Sequence, residues 1–496
     1  MADLLQKLLP DILPRSWLFL LCPLFLVSVH YWFTRKFSAK RQRLPPSPPA
    51  LPIIGHLHLI GSMAPDVMLL HLGAVPNLVV SSSRAAEAVL RTHDHVFASR
   101  PHSVISHIMY GSSDIGFAPY GEYCRQARKL VTTHMLSVKK VQSFRSAPTK
   151  EVSMAMAKIN QEAAADGVVD MSELLHTFTN DMACRIVSGK FFLKDGRSKL
   201  FRELIKDTSR LLGGFNLEEY FPSLGRVGVL KKAVCAKAEG VRNRWADLLD
   251  KVIDDRVSKR KSTSDHKDDD FLDIMLSVQQ EYDLTKEHMK ALLTMNTSAN
   301  ALEFTLAELM RKPHLMVKLQ DEVRGIIVPQ GQEIISETDM NNMTYLRAVI
   351  KESLRLHPLA PLLAPHLAMA DCITDGYIVP ARTRVVVNAW AIGRDPSSWE
   401  YVEEFIPERF TDEGSSMHVN FKGNDFQFLL FGARRRMCPG MNLGITNVEL
   451  MLANLLCHFD WQLRLGAERK DIDMTEVFGL TVRTKEKLLL IPRSRM

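Results

Sequence analysis

A disulfide framework, glycine-rich cofactor loops and one-sided charge are all missing from this 496-residue chain. Its seven cysteines (Cys22, Cys124, Cys184, Cys235, Cys372, Cys438 and Cys457) are odd in number and scattered. That argues against paired disulfides and fits a reducing compartment. No Gly-rich dinucleotide fingerprint is present, nor a phosphate-cradling loop followed by Lys-Ser/Thr. The chain therefore carries no evident flavin or nicotinamide site, and any electrons must arrive from a partner protein. The net charge of +7 is modest for this length. No basic stripe interleaved with aromatics appears, so no nucleic-acid partner is expected. No internal repeat is found.

What is present is ample apolar material: 46% of residues are hydrophobic and 24% charged, enough for a large core. Residues 17–33 form a charge-free apolar run, at the short end of what spans a bilayer. Arg35, Lys36, Lys40, Arg41 and Arg43 follow it, which places everything after the run in the cytosol. A cleaved signal peptide would carry its charges at the other end and a small-residue cleavage site. Pro45-Pro46-Ser47-Pro48-Pro49-Ala50-Leu51-Pro52 reads as a stiff, extended spacer. These features predict an anchor over 1–34, a basic and Pro-rich hinge over 35–52, and a large domain over 53–496. Strands are predicted at 67–73 and 77–82, around Ala74-Val75-Pro76, and at 383–390 and 487–491. Helical patterns cover 84–92, 172–190, 241–259, 289–311, 314–328 and 342–356. Residues 259–270 read as a solvated, charged loop.

One stretch carries chemistry: Phe431-Gly432-Ala433-Arg434-Arg435-Arg436-Met437-Cys438-Pro439-Gly440. Cys438 follows a basic cluster and precedes a helical pattern. Local positive charge and helix-start amides favour a thiolate. No second Cys or His stands two to four residues away, which argues against tetrahedral zinc. A single axial thiolate to haem iron is the alternative. Glu352-Ser353-Leu354-Arg355 places an acid and a base at i and i+3, on one helix face. Pro407-Glu408-Arg409-Phe410, Asn388-Ala389-Trp390 and Val477-Phe478-Gly479-Leu480-Thr481 lie downstream of it.

Together these strings resemble the cytochrome P-450 family over nearly the whole chain. The wording is closest to plant microsomal members that hydroxylate small hydrophobic natural products. The resemblance implies a mainly α fold with a small β portion, a haem domain behind an N-terminal transmembrane anchor. It implies a monooxygenase of the endoplasmic reticulum membrane, single-pass, with its catalytic domain cytosolic. Its cofactor would be haem b (iron protoporphyrin IX). Its partners would be O2, a small hydrophobic substrate, membrane lipid and an NADPH-dependent flavoprotein reductase. Cys438 matches the axial iron ligand, and Gly440 belongs to the turn behind it. Arg436 and Arg128 match propionate contacts, and Phe431 the aromatic that shields the sulfur. His366 stands where many relatives carry a propionate-binding Arg. Glu352, Arg355 and Arg409 match a buried network that clamps the Cys438 meander. Leu359, Leu362, Leu363, Ala364, Val477 and Phe478 would line the substrate pocket, with 105–115 as a roof. Lys422, Arg434 and Arg435 would form a basic face for the reductase.

Three places depart from the pattern. Cys124 replaces a Trp that donates toward a propionate. Arg434 replaces a Gly and would cost about 1–3 kcal/mol if its φ is positive. The helix from Leu284 runs straight to Phe304 without the Gly-containing kink that manages protons at iron-bound dioxygen. About six residues are missing there, a rotation of about 240°. Thr297 and Ser298 remain as candidates for that catalytic role, without an acidic neighbour. A shorter gap falls at 61–66. The alternative reading is a catalytically impaired or inactive haem-binding or decoy relative.

Overall fold

The computed structural model describes residues 44–48, 66–144, 146–189, 197–214, 216–221, 228–262, 270–293, 298–327, 334–336, 338–464, 466–477 and 479–495. The expected anchor and most of the Pro-rich hinge lie outside these residues. Among the described residues no helix is long and apolar enough to cross a membrane.

The architecture is mainly helical with a small β portion. The helices include α1 (Val104–Tyr110), α2 (Glu122–Leu130), α3 (Met171–Ser188), α4 (Arg197–Leu212) and α5 (Gly228–Ser262), with a further long helix over Ser146–Ala164. They continue as α6 (Lys286–Leu292), α7 (Ser298–Arg311), α8 (Pro313–Ile327), α9 (Thr344–Leu356) and α10 (Met441–His458). Every residue of α7 from Ala299 to Met310 is buried. A helix apolar or satisfied on all faces belongs in the centre of a large protein, and α7 packs against α3, α9 and α10. Thr305 Oγ1 donates to the Ala301 carbonyl (2.7 Å) and pairs with Ser353 Oγ of α9 (2.8 Å), while Asn300 Oδ1 is buried without a partner among the described residues.

The strands are β1 (Val67–Leu72), β2 (Val75–Val80), β3 (Val169–Asp170), β4 (His366–Leu367), β5 (Cys372–Thr374) and β6 (Tyr377–Val379). Then come β7 (Arg384–Val387), β8 (Phe459–Leu463), β9 (Glu476–Val477), β10 (Arg483–Thr484) and β11 (Leu489–Ser494). The largest sheet runs β1-β2-β7-β4, with β2 and β7 parallel and the other pairs antiparallel. β3, β11 and β8 form a second sheet, and β9 pairs with β10 as a hairpin. Leu78, Val80, Val385 and Val387 give the first sheet its own apolar core.

The predicted elements 67–82, 172–190 and 314–328 appear with small shifts of boundary. Two expectations need correction. The strand at 383–390 stops at Val387, because Asn388 caps a short helix by accepting from the Ala391 amide (3.1 Å). The helix at 289–311 is not continuous: α6 ends at Leu292 and α7 begins at Ser298. The sequence between them is Leu293-Thr294-Met295-Asn296-Thr297, and Thr and Asn side chains compete for backbone partners and favour helix ends. Residues 294–297, and with them Thr297, lie outside the described residues, as do 61–65.

Candidate functional site

The loop that carries Cys438 is shaped by two left-handed residues, Gly432 (φ 68°) and Arg434 (φ 53°). Glycine adopts that region freely; an arginine there costs on the order of 1–2 kcal/mol. The condition set for Arg434 by its sequence context is therefore met. The Met437 amide donates to the Arg434 carbonyl (3.1 Å) and the Cys438 amide to the Phe431 carbonyl (2.8 Å). These bonds close the loop just before Gly440, which caps α10. A Cβ on Gly440 would stand 3.9 Å from Cys438 Sγ, over the sulfur. The Phe431 ring is half-buried and packs edge-on against Phe421, 5.8 Å between centroids.

Cys438 has accessible surface, yet burial pushes its thiol above the ordinary value. Both hold if the sulfur faces a space enclosed by the protein. Three groups pull the other way: the Gly440 amide, Arg128 and the Met441 amide. The positive field at the sulfur thus comes from Arg128 and the start of α10, not from the neighbouring Arg434-Arg435-Arg436. Arg434 and Arg435 are exposed, and Arg435 pairs with Asp94 (2.8 Å).

Arg436 turns the other way. Its Nε donates to the Ala98 carbonyl (2.6 Å) and its Nη2 to the Ala118 carbonyl, while Nη1 is buried without a partner. Arg128 donates to the Met437 carbonyl. A third guanidinium, which sequence reasoning missed, joins them. Arg100 donates to the carbonyls of Gly116 (3.0 Å), Ala364 (2.6 Å) and Pro365 (3.0 Å). Burial first, then Arg436 and Arg128, bring its pKa down to about 9. Arg128 and Arg436 are held down mainly by burial. Asp114 is felt by Arg100 and Arg436 but is occupied by Ser106 Oγ (2.8 Å) and the amides of Gly116 and Phe117. Three converging cations with a spare buried N–H form a cradle for a doubly anionic ligand. Cys124, buried among them, adds little as a donor.

His366 corrects one expectation. Its Nδ1–H donates to the Phe97 carbonyl (2.7 Å). Burial, Arg100 and Arg436 hold its pKa well below the ordinary value. A neutral ring with that tautomer offers Nε2 as an acceptor only, so it cannot donate to a carboxylate. Arg100 supplies the charge that His366 was expected to bring.

Glu352, Arg355 and Arg409 come together as an ion network. Arg355 uses all five N–H groups: two on Glu352 (2.9 Å each), and one each on the carbonyls of Gly393 (2.7 Å), Val402 (2.8 Å) and Glu404 (2.9 Å). Arg409 Nε meets Glu352 at 3.1 Å, and its Nη1 holds the Glu400 carbonyl (2.9 Å). The Ile406 amide also donates to Glu352 (2.8 Å). Glu352 and Arg355 have no exposed side-chain surface. α9 thereby holds three carbonyls and one amide of the segment 393–406, Arg409 adds the Glu400 carbonyl, and Trp399, Phe410 and Phe428 pack beneath.

On the other side of the Cys438 loop, Ser298 reaches α10: a Cβ on Gly444 would lie 3.5 Å from its Oγ. The β9–β10 hairpin is tied to both neighbours. Asn300 Nδ2 donates to the Val482 carbonyl (2.8 Å) and the Val482 amide to the Leu359 carbonyl (2.9 Å). Its tip wedges under the end of α4, where a Cβ on Gly213 would come 2.1 Å from the Leu480 amide nitrogen. Val477, Leu359, Leu363 and Ala364 are half-buried and Leu362 is 50% exposed, whereas Ile105 is wholly core. Phe478 lies outside the described residues.

Residues 45–491 match the family model Cytochrome P450. The chain is 54% identical over 470 residues to an indole-2-monooxygenase of Zea mays, covering 90% of this chain and 87% of that protein. It is 48% identical over 500 residues to an indolin-2-one monooxygenase of Zea mays, covering 94% and 93%. A zebra fish cytochrome P450 structure with progesterone has the same fold, with a TM-score of 0.73 at 23% identity, covering 88% and 98%.

Proposed function

The chain belongs to the cytochrome P450 family and is a monooxygenase of small plant metabolites, and on that premise we propose that Cys438 is its axial haem ligand and that its substrate is a flat, largely apolar bicycle of the indole class. One oxygen atom of O2 enters the substrate and the other leaves as water, with two electrons from a redox partner and two protons. When bound, haem would supply the redox-active iron, and the Cys438 thiolate would push electron density toward it.

The observation that carries the reading is the unpartnered Nη1 of Arg436 inside a three-guanidinium cradle beside the Cys438 loop. The haem of this family has two carboxylates to place in it. Arg436, Arg128 and Arg100 would hold them; the Phe431 carbonyl and the amides of Gly440 and Met441 would fix the sulfur and its charge. The Glu352 network would keep the meander rigid, so that the thiolate and the carboxylate cradle stay in register. Ser298 would stand near the proton path at the start of α7, and Thr297 beside it in sequence. The indole class rests on the names of the Zea mays relatives. Those names lend no support to the inactive alternative.

Lys422 and Arg434, both exposed, and Arg435 would form the face for an NADPH-dependent flavoprotein reductase. The apolar run at 17–33 would anchor the protein in the endoplasmic reticulum membrane with the haem domain in the cytosol.

The test is the reduced carbon-monoxide difference spectrum of the membrane-expressed protein and of Cys438→His. A red-shifted Soret band in the wild type that moves to the blue in the variant is the expected result. A wild-type band already at the blue position, or one unchanged by the substitution, would remove Cys438 from the iron. Titration with indole should then give a substrate-binding spectral change.

A further inference from the structure

The β9–β10 hairpin is tied to the core by a buried imidazole. His357 caps α9, presenting Nε2 to Glu308 of α7 (2.9 Å) and Nδ1 to Glu476 of β9 (3.4 Å). Its ring lies flat on Phe304 of α7, 4.7 Å between centroids and 4° between planes. The three side chains are 10%, 6% and 16% exposed, so water competes little for their hydrogen bonds. An imidazole donates to two carboxylates only when both nitrogens carry protons, so this bridge is complete only with the imidazolium.

We infer that His357 is a positioning residue for the substrate pocket: as the imidazolium it fastens β9 to α7, and its deprotonation releases Glu476 and loosens the strand that carries Val477. The inference rests on the reading of Val477 as a pocket residue.

Burial disfavours the charged ring, but the hydrogen bonds to Glu308 and Glu476 outweigh it, and the pKa of His357 stands above its ordinary value. Burial works against the Glu308 charge too, and His357, Arg311 and Lys312 more than offset it. Arg394 faces Glu476 from the segment after β7, and Arg355 adds a cation on α9 itself. A raised histidine pKa contributes stability that is full below the unfolded value and is lost as pH rises through the folded one. Three other bonds do not titrate with His357: Asn300 to the Val482 carbonyl, the Val482 amide to Leu359, and Thr484 Oγ1 to Glu303 (2.6 Å). They keep β10 in place, so release is confined to β9 and the hairpin tip.

Hydrogen exchange of residues 474–484 in the haem-loaded protein tests this directly, across about pH 6 to 9 and corrected for intrinsic rates. Protection should fall at least several-fold as pH rises in the wild type. Glu476→Gln and His357→Gln should show the low value at every pH. Indole titrations on the same samples should show a matching pH step in the wild type that is absent in Glu476→Gln. Flat wild-type protection across the range, or a pH step retained in Glu476→Gln, overturns the latch. If exchange follows the latch while indole gives no spectral change in any sample, the pocket reading has failed and the latch has not.

Discussion

Glu352→Gln is the sharpest perturbation of this fold. The substitution keeps the shape of the side chain and removes one negative charge between two guanidiniums with no access to water. Glu352 accepts from Arg355 twice, from Arg409 and from the Ile406 amide. After substitution a Gln NH2 would face guanidinium N–H groups, donor against donor. Breaking a buried pair by removing one partner costs about 3–5 kcal/mol, against a total stability of about 5–15 kcal/mol for a domain. The unfolding entropy of a chain of 496 residues is about 1 kcal/mol per degree, so the melting midpoint falls only about 3–5 °C. Haem content is therefore the better readout. The loosened segment packs over Phe428, three residues before Phe431, whose carbonyl fixes Cys438. We expect the haem-loaded fraction of Glu352→Gln to drop far more than its expression, with Glu352→Asp intermediate. A Glu352→Gln protein with full haem content and an unchanged midpoint would refute the argument that this charge is uncompensated when lost.

Arg434→Gly should exceed Arg434→Ala in stability by about 1 kcal/mol, because only glycine relieves φ 53° without strain; chemical denaturation of the two variants checks it, and equal midpoints would count against strain. Arg100→Met should weaken haem retention roughly 10–100-fold, the worth of a charge-assisted hydrogen bond, while leaving the carbon-monoxide band in place; transfer of haem to apomyoglobin measures it. Lys422→Gln should slow reduction by the flavoprotein reductase mainly at low salt, read by stopped-flow, and a salt-independent defect would argue against a docking role.

The parts of the site that were legible lie close together in the chain. The Phe431–Gly440 string shows its turn residues, its cysteine and the start of α10 within ten positions, and Arg434 betrays strain because left-handed backbone is a local property. Glu352 and Arg355 are visible as an i, i+3 pair for the same reason. The anchor and hinge are expected from local composition, and apart from residues 44–48 they lie outside the described residues. The helix through 289–311 misled, since its apolar period continues across residues whose side chains prefer helix ends.

The sequence alone determined a tight cysteine-bearing loop before a helix, an acid–base pair on one helix face and a mainly helical domain, because each follows from neighbours a few residues apart. Only the tertiary structure decided the charges. Arg100 reaches Ala364 across 264 positions, His357 reaches Glu476 across 119, and Asn300 reaches Val482 across 182. No period or motif links such residues; packing brings them together. Surroundings then move their pKa values: burial and two arginines push His366 down, while Glu308 and Glu476 raise His357 against its burial. Two histidines nine positions apart thus shift in opposite directions, since a pKa responds to the few ångströms around a group.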